Sequence, residues 1–112
     1  DLKAASKRLK TASKLMRQHQ SEAFYAEVMK ALLGYSGDKL NIQNSELNKE
    51  NVSSSLQSHG VDQALVDCYM NIISECEFAR YAPGDPDATM EKIFASASEV
   101  INELDTAIKK NK

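Results

Sequence analysis

Apolar residues recur at alternating intervals of three and four along most of this 112-residue chain. These intervals match the α-helical turn of about 3.6 residues and place the apolar side chains on one face of each segment. The first segment shows the pattern in Leu2, Ala5, Leu9, Ala12, Met16 and His19. Only four Gly and two Pro are present, too few for an all-β chain that turns about every ten residues. The sequence therefore predicts an all-α fold, a compact bundle of about five helices.

A short polar break at Gln18–Gln20 separates the first two predicted helices. Ser21 is the predicted N-cap of the second helix, because its hydroxyl can accept a hydrogen bond from a free N–H of the first turn. The core-facing residues of this helix are Phe24, Val28, Leu32 and Tyr35. Because the break is short, we expect the two helices to form an antiparallel hairpin.

Capping and turn residues divide the rest of the chain into three further helices. The third is predicted to end before Gly60, the fourth near Tyr81, and the fifth to begin at Pro86. The predicted N-caps of these helices are Asn48, Asp62 and Asp85.

We expect one domain that spans residues 1–112, because hydrophobic residues make up 42% and charged residues 27%, as in ordinary globular domains. No run of about 18 apolar residues occurs in the sequence, so no membrane span is predicted within it. The chain begins with Asp1 rather than Met. We therefore expect it to be a piece excised from a larger protein.

The net charge of −2 hides two unequal parts. Residues 1–20 carry a local charge of +5, whereas the rest of the chain carries −7. The cations of the first part are Lys3, Lys7, Arg8, Lys10, Lys14 and Arg17. Two interpretations are open: a solvated helix face, or a surface that attracts an anionic membrane or partner.

Neither histidine suggests catalysis. His19 ends the stripe of the first helix, and His59 lies beside Gly60 at a helix C-terminus, where a cationic ring favours the helix dipole. Ser55 lies four residues before His59, but no oriented acid or oxyanion site accompanies this pair. The sequence therefore predicts a protein that is not an enzyme.

The two cysteines, Cys68 and Cys76, lie eight residues apart on one predicted helix. Their α-carbons would be about 12 Å apart, beyond the limit of about 7 Å for a disulfide. No Cys/His cluster with metal-ligand spacing occurs in the sequence, so we expect no metal and no cofactor.

Residues 52–73 resemble a helix-turn-helix unit, with the bend at Gly60-Val61-Asp62. The second helix of such a unit must face DNA phosphates, yet no Lys or Arg occurs between Asp62 and Glu75. A small regulatory nucleic-acid-binding domain therefore remains only the alternative function, and nucleic acid is a disfavoured partner.

Several short motifs together resemble a known family. They are Glu22-Ala23-Phe24-Tyr25, Ala31-Leu32-Leu33-Gly34-Tyr35, Asp38-Lys39-Leu40-Asn41-Ile42, Ser45-Glu46-Leu47 and the segment from Cys76 to Gly84. Over about residues 3–104 the chain resembles the C-terminal helical domain of BatD, from the Bacteroides aerotolerance operon. It departs from the family at Ser36-Gly37 and at Gln43.

The resemblance implies a membrane-anchored bacterial protein whose transmembrane helix leads into this domain on the cytoplasmic side of the inner membrane. It implies partners among the other Bat-operon proteins, of the von Willebrand A and tetratricopeptide types, or a MoxR-type AAA+ ATPase. It also implies a role in oxygen tolerance or envelope stress. We therefore expect a non-enzymatic interaction module. In this context the cations of the first helix fit the positive-inside rule and would face anionic headgroups.

The segment near the end of the fourth helix has two interpretations. It comprises Glu77, Phe78, Ala79, Arg80, Tyr81 and Pro83. We predict that Phe78, Ala79 and Tyr81 pack the turn between the fourth and fifth helices, while Arg80 pairs with an acidic residue such as Asp38 or bonds helix-end carbonyls. The other interpretation is a partner-docking site.

Overall fold

The structure is a computed structural model that describes residues 2–110. Asp1, Asn111 and Lys112 lie outside the described residues. The two ends of the predicted domain, residues 1–112, therefore lie outside them, and so does the one negative charge counted in residues 1–20. Five α-helices make up most of the described chain: α1 (Leu2–Arg17), α2 (Ser21–Leu40), α3 (Lys49–Ser58), α4 (Gln63–Phe78) and α5 (Pro86–Lys110). The described chain also contains two single 3-10 turns, Asn44–Glu46 and Ala79–Tyr81. The predicted all-α fold is confirmed.

The first two helices form the predicted antiparallel hairpin, and α5 packs against both of them. His19, just after α1, contacts Asp87 in the first turn of α5, so α1 and α5 run in opposite directions. Tyr35 of α2 contacts Asp105 near the other end of α5, so α2 and α5 run in the same direction. Helices α3 and α4 close the remaining side of α2.

The core lies where α2 meets the other helices. Phe24, Val28 and Leu32 of α2 are completely buried, as the sequence predicts. The same buried cluster includes residues of the neighbouring helices, among them Leu9, Leu56, Tyr69, Ile73, Ile93 and Leu104. Removing one such Leu or Ile side chain by substitution with Ala is expected to cost about 2–5 kcal/mol.

Most of the predicted caps are confirmed. The Asn48 carboxamide oxygen accepts a 2.8 Å hydrogen bond from the backbone N–H of Asn51, and Asp85 accepts one of 3.0 Å from Asp87. Asp62 occupies the N-cap position of α4, but its side chain accepts no hydrogen bond there.

The prediction for Ser21 is wrong by one position, because Ser21 is the first residue of α2 and Gln20 precedes it. The reason is the turn that ends α1. His19 adopts a left-handed backbone (φ 59°). The backbone N–H groups of His19 and Gln20 donate to the carbonyls of Met16 and Leu15, at 3.0 Å each. This Schellman arrangement reverses the chain so sharply that the helical conformation resumes at Ser21.

Candidate functional site

Five of the six predicted cations share one solvent-exposed side of α1. At about 100° per residue, their positions fall within about 80° of the helix circumference. The opposite side of α1 holds the buried Ala5, Leu9 and Ala12, and their packing against α2 and α5 fixes the direction in which the cations point. We call this surface the cationic face; it comprises Lys3, Lys7, Lys10, Lys14 and Arg17.

Arg8, the sixth predicted cation, is not part of the cationic face. It follows Lys7 by one residue and is therefore turned by about 100° toward α2. There its guanidinium lies 3.7 Å from the carboxylate of Glu27. Arg8 therefore lies at the contact between α1 and α2, apart from the other five cations with which the sequence groups it.

Within residues 2–110, no Asp or Glu forms an ion pair with any of the five cations of the cationic face. The Arg17 guanidinium donates a 3.2 Å hydrogen bond to the Ser13 hydroxyl, which is a neutral partner. Water and mobile ions are therefore what screens these charges from one another.

A groove of about 550 Å³ runs between α1 and α5, directly beside the cationic face. We call it the α1–α5 groove. Its apolar residues are Leu2, Leu9, Phe94 and Ile101, and its small polar residues are Ser6, Ser13, Ser98 and Asn102. Lys10, Lys14 and Arg17 line its α1 wall, and no Asp or Glu is among the described residues that line it. The groove therefore has an apolar floor and positive charge on only one of its walls, the wall formed by α1.

The segment after α4 forms a second surface, and the prediction that it packs the turn is wrong for its two large aromatic residues. Phe78 is 61% exposed and Tyr81 is 74% exposed, whereas Ala79 alone of the three is packed against the core. Phe78 follows the buried Cys76 by two residues, so it points to the opposite side of α4. Pro83 is also exposed.

The charged residues of this segment have local contacts. Glu77 accepts a 2.9 Å hydrogen bond from the Lys49 ammonium group. The Arg80 guanidinium lies 5.8 Å from the centre of the Tyr81 ring, a cation–π distance. Arg80 also lines a cleft with Glu22 at the start of α2. Asp38 lies in the last turn of α2, about 24 Å further along that helix, so the predicted pairing of Arg80 with Asp38 is wrong.

The histidines have the structural contacts that their helix-end positions suggest. The His59 Nδ1 atom lies 2.8 Å from the backbone carbonyl of Ser55, and the Ser55 hydroxyl is not the partner. The His19 Nδ1 atom lies 2.9 Å from the Asp87 carboxylate, and this hydrogen bond raises the pKa of His19 above its ordinary 6.5.

The cysteines are free thiols, Cys68 exposed and Cys76 buried. Burial raises the pKa of Cys76 to about 12, so it is a neutral, poorly nucleophilic thiol at physiological pH. The part of the chain that the structure describes contains no group of three or more His, Cys, Asp and Glu residues arranged to hold a metal ion.

Sequence reasoning missed the buried carboxylate of Asp105. Only 6% of this residue is exposed. Its oxygens contact the Tyr35 hydroxyl at 2.8 Å, the Lys109 ammonium at 2.9 Å and the Lys39 ammonium at 3.7 Å. The spacing of Asp105 could have indicated its burial, because Asp105 follows Ile101 by four residues and precedes Ile108 by three on the apolar side of α5. The cluster joins Tyr35 and Lys39 of α2 to Asp105 of α5.

The exposed side of α4 is acidic. Its described solvent-facing residues include Gln63, Asp67, Cys68, Asn71 and Glu75, with no Lys or Arg among them. The helix-turn-helix interpretation would place this acidic side against phosphates, which is electrostatically unfavourable.

No protein-family model, curated protein or solved structure matches the chain. The resemblance to BatD therefore stays a prediction. Within residues 2–110, no helix combines the length and hydrophobicity needed to cross a bilayer.

Proposed function

We propose that this domain is a non-enzymatic interaction module of a membrane-anchored, BatD-like protein, and that it docks an anionic partner through the cationic face. The observation that carries the proposal is the set of five exposed cations on one side of α1, without an acidic partner in the described chain.

A solvated helix face ordinarily mixes charges of both signs, because pairs of opposite charge three or four residues apart stabilise a helix. The cationic face places like charges at these same intervals. The pairs are Lys3 and Lys7, Lys7 and Lys10, Lys10 and Lys14, and Lys14 and Arg17. Each such pair destabilises a helix by about 0.2–0.5 kcal/mol. An anionic partner would relieve this repulsion, whereas in the solvated-face interpretation only the helix dipole at Lys14 and Arg17 compensates for part of it.

The resemblance to BatD supplies the cellular context of the proposal. A domain that follows a transmembrane helix on the cytoplasmic side of the inner membrane would keep α1 near anionic headgroups. Each Lys or Arg near such a surface contributes about 1 kcal/mol. The von Willebrand A-type and tetratricopeptide-type Bat proteins, or a MoxR-type ATPase, are the protein partners that this context suggests.

The test compares two double variants that lower the net charge equally. Lys7→Glu with Lys14→Glu alters the cationic face, whereas Lys30→Glu with Lys92→Glu alters exposed lysines on α2 and α5. The probes are vesicles of phosphatidylcholine with phosphatidylserine, measured by co-sedimentation, and immobilised polyglutamate. We expect the wild type and the α2/α5 variant to bind at least one probe and the α1 variant to lose it. Binding of neither probe by the wild type, or equal binding by both variants, would contradict the proposal.

The BatD context is tested separately by co-expression with the Bat-operon proteins. We expect co-purification that Lys7→Glu with Lys14→Glu abolishes and that Arg80→Ala preserves. If Arg80→Ala abolished co-purification while stability was unchanged, docking would instead involve the exposed segment at residues 77–83.

A further inference from the structure

The α1–α5 groove joins two kinds of surface that a partner must match at once. On its floor, Leu2 and Phe94 are only half-buried, so apolar surface stays in contact with water. On its α1 wall, Lys10, Lys14 and Arg17 carry positive charge without acidic residues opposite them among the described lining residues. A complementary occupant therefore has an apolar side and negative charge on the one flank that faces α1.

The spacing of the charges distinguishes between possible occupants. Lys10 and Arg17 are seven residues apart, about 10 Å along the helix axis, and the whole cationic face from Lys3 to Arg17 extends over about 21 Å. A single-chain amphiphile brings its charge at one end and would satisfy one of these cations. An α-helix with acidic residues at intervals of three and four repeats its charges at the same rise and can satisfy several.

A flat membrane surface matches the groove less well. The centre of the cationic face points outward, and a bilayer could lie against it without entering the space between α1 and α5. The exposed parts of Leu2 and Phe94 would then stay hydrated. A helix laid along the groove covers this apolar floor and contacts the positive wall together, as in helix-in-groove recognition.

We propose that the α1–α5 groove binds an acidic amphipathic helix of a partner protein. This inference rests on the proposed function, because the positive wall of the groove is one edge of the cationic face. It adds the chemistry of the partner: an apolar stripe that seats against Leu2 and Phe94, with Glu or Asp residues beside it that face Lys10, Lys14 and Arg17.

The decisive variant fills the groove without changing its charge. Ser6 is exposed and lines the groove, so Ser6→Trp would occupy it and leave all five cations in place. Thr11→Trp is the matched control, because Thr11 is an exposed residue of the same helix that does not line the groove. Circular dichroism checks that both variants fold. If Ser6→Trp did not fold, Asn102→Trp on α5 would make the same test from the opposite wall.

The probe is a fluorescein-labelled peptide of about 15 residues, which matches the length of α1. Leu occupies one helical side of the peptide, Glu the flank that faces the α1 wall and Gln the other flank. A scrambled peptide has the same composition without helical periodicity, and a third peptide carries Gln in place of Glu. Fluorescence anisotropy measures binding, and vesicle co-sedimentation is run in parallel.

We expect the ordered acidic peptide to bind at least about tenfold more tightly than the other two, and Ser6→Trp to weaken it by about tenfold or more. Thr11→Trp should bind like the wild type, and vesicle binding should not respond to Ser6→Trp. Equal binding of ordered and scrambled peptides, equal effects of the two Trp variants, or binding to vesicles alone would overturn this inference and leave the proposed function standing. If Lys7→Glu with Lys14→Glu changed none of these interactions, the proposed function would fail as well.

Discussion

The phenol of Tyr35 donates a 2.8 Å hydrogen bond to the carboxylate of Asp105, across the contact between two parallel helices. Both residues are buried, and the ammonium groups of Lys39 and Lys109 lie on the solvent side of the same carboxylate. A buried charge is tolerated in a protein interior when it is hydrogen-bonded and paired in this way.

Asp105→Ala is therefore expected to lower the free energy of unfolding by about 2–4 kcal/mol, because it leaves the buried Tyr35 hydroxyl without an acceptor. Asp105→Asn keeps an acceptor oxygen and should cost less. Urea denaturation of both variants measures the difference. Lys109→Ala is the control, since its ammonium is largely exposed and its loss should cost no more than about 1 kcal/mol. Equal stability of Asp105→Ala and the wild type would contradict the structural role of this carboxylate.

The same carboxylate predicts acid sensitivity. Hydrogen bonds from Lys109 and Tyr35 hold the pKa of Asp105 below its ordinary 3.8. Because the folded-state pKa is depressed, the stabilisation is complete above the unfolded-state pKa and is lost as the pH falls through the folded-state value. Urea unfolding from about pH 5 to pH 2 should therefore show a steeper loss for the wild type than for Asp105→Asn. Parallel curves would show that folding does not shift the pKa of Asp105.

The stabilisation that His19 provides should depend on pH in the opposite direction. Its pKa is raised by the hydrogen bond to Asp87, so the stabilisation is fully present below pH 6.5 and is lost as the pH rises through the folded-state pKa. An NMR titration of the ring should show the pKa of His19 falling toward 6.5 in Asp87→Asn. The ring signals of His59, which lies after α3, identify any change that is not specific to this contact. An unchanged His19 titration in Asp87→Asn would mean that the two side chains do not pair in solution.

The two glycines within α2 should respond differently to substitution with Ala. A β-carbon at Gly34 would meet no atom within 4 Å, so Gly34→Ala should stabilise the protein by about 1 kcal/mol through helix propensity. At Gly37 it would lie 3.2 Å from a methyl group of Leu47, and the crowding should cancel most of that gain. Thermal denaturation of both variants makes the comparison. Equal stabilisation would show that the 41–48 loop moves away without cost.

Phe78 and Tyr81 should be dispensable for folding. Because both are largely exposed, Phe78→Ser and Tyr81→Ser are expected to change the free energy of unfolding by no more than about 0.5 kcal/mol. Phe24→Ala, at a completely buried position, should cost about 3–5 kcal/mol and serves as the reference. A loss above about 2 kcal/mol for Phe78→Ser would restore the packing interpretation of this segment.

Local signals predicted the architecture of this protein well. The apolar intervals identified the buried side of each helix, and Asn48, Gly60 and Asp85 marked helix ends, because periodicity and capping depend on residues close together in the sequence. The contact of His19 with Asp87 joins residues 68 positions apart, and no local pattern encodes it. The exposure of Phe78 could not be foreseen either, since it depends on where α4 ends relative to its neighbours.

At the candidate site, too, the sequence predicted the features that depend on neighbouring residues and missed those that depend on distant ones. Helical periodicity turns Lys3, Lys7 and Lys10 away from the core and sets Arg8 apart from them, but it could not show that Arg8 pairs with Glu27 on another helix. The α1–α5 groove was not predicted at all, because its two walls come from opposite ends of the chain.

Because the walls of the α1–α5 groove are far apart in the sequence, the groove forms late in biosynthesis and is lost when the chain is cleaved between them. The α1–α2 hairpin depends on contacts close in sequence and can form as soon as those residues leave the ribosome, so the positive charges are displayed early. The groove is completed only when residues 94–102 have been translated and have docked on α1. A nascent or cleaved chain would therefore carry the electrostatic attraction without the binding cleft, and only the finished chain would offer both.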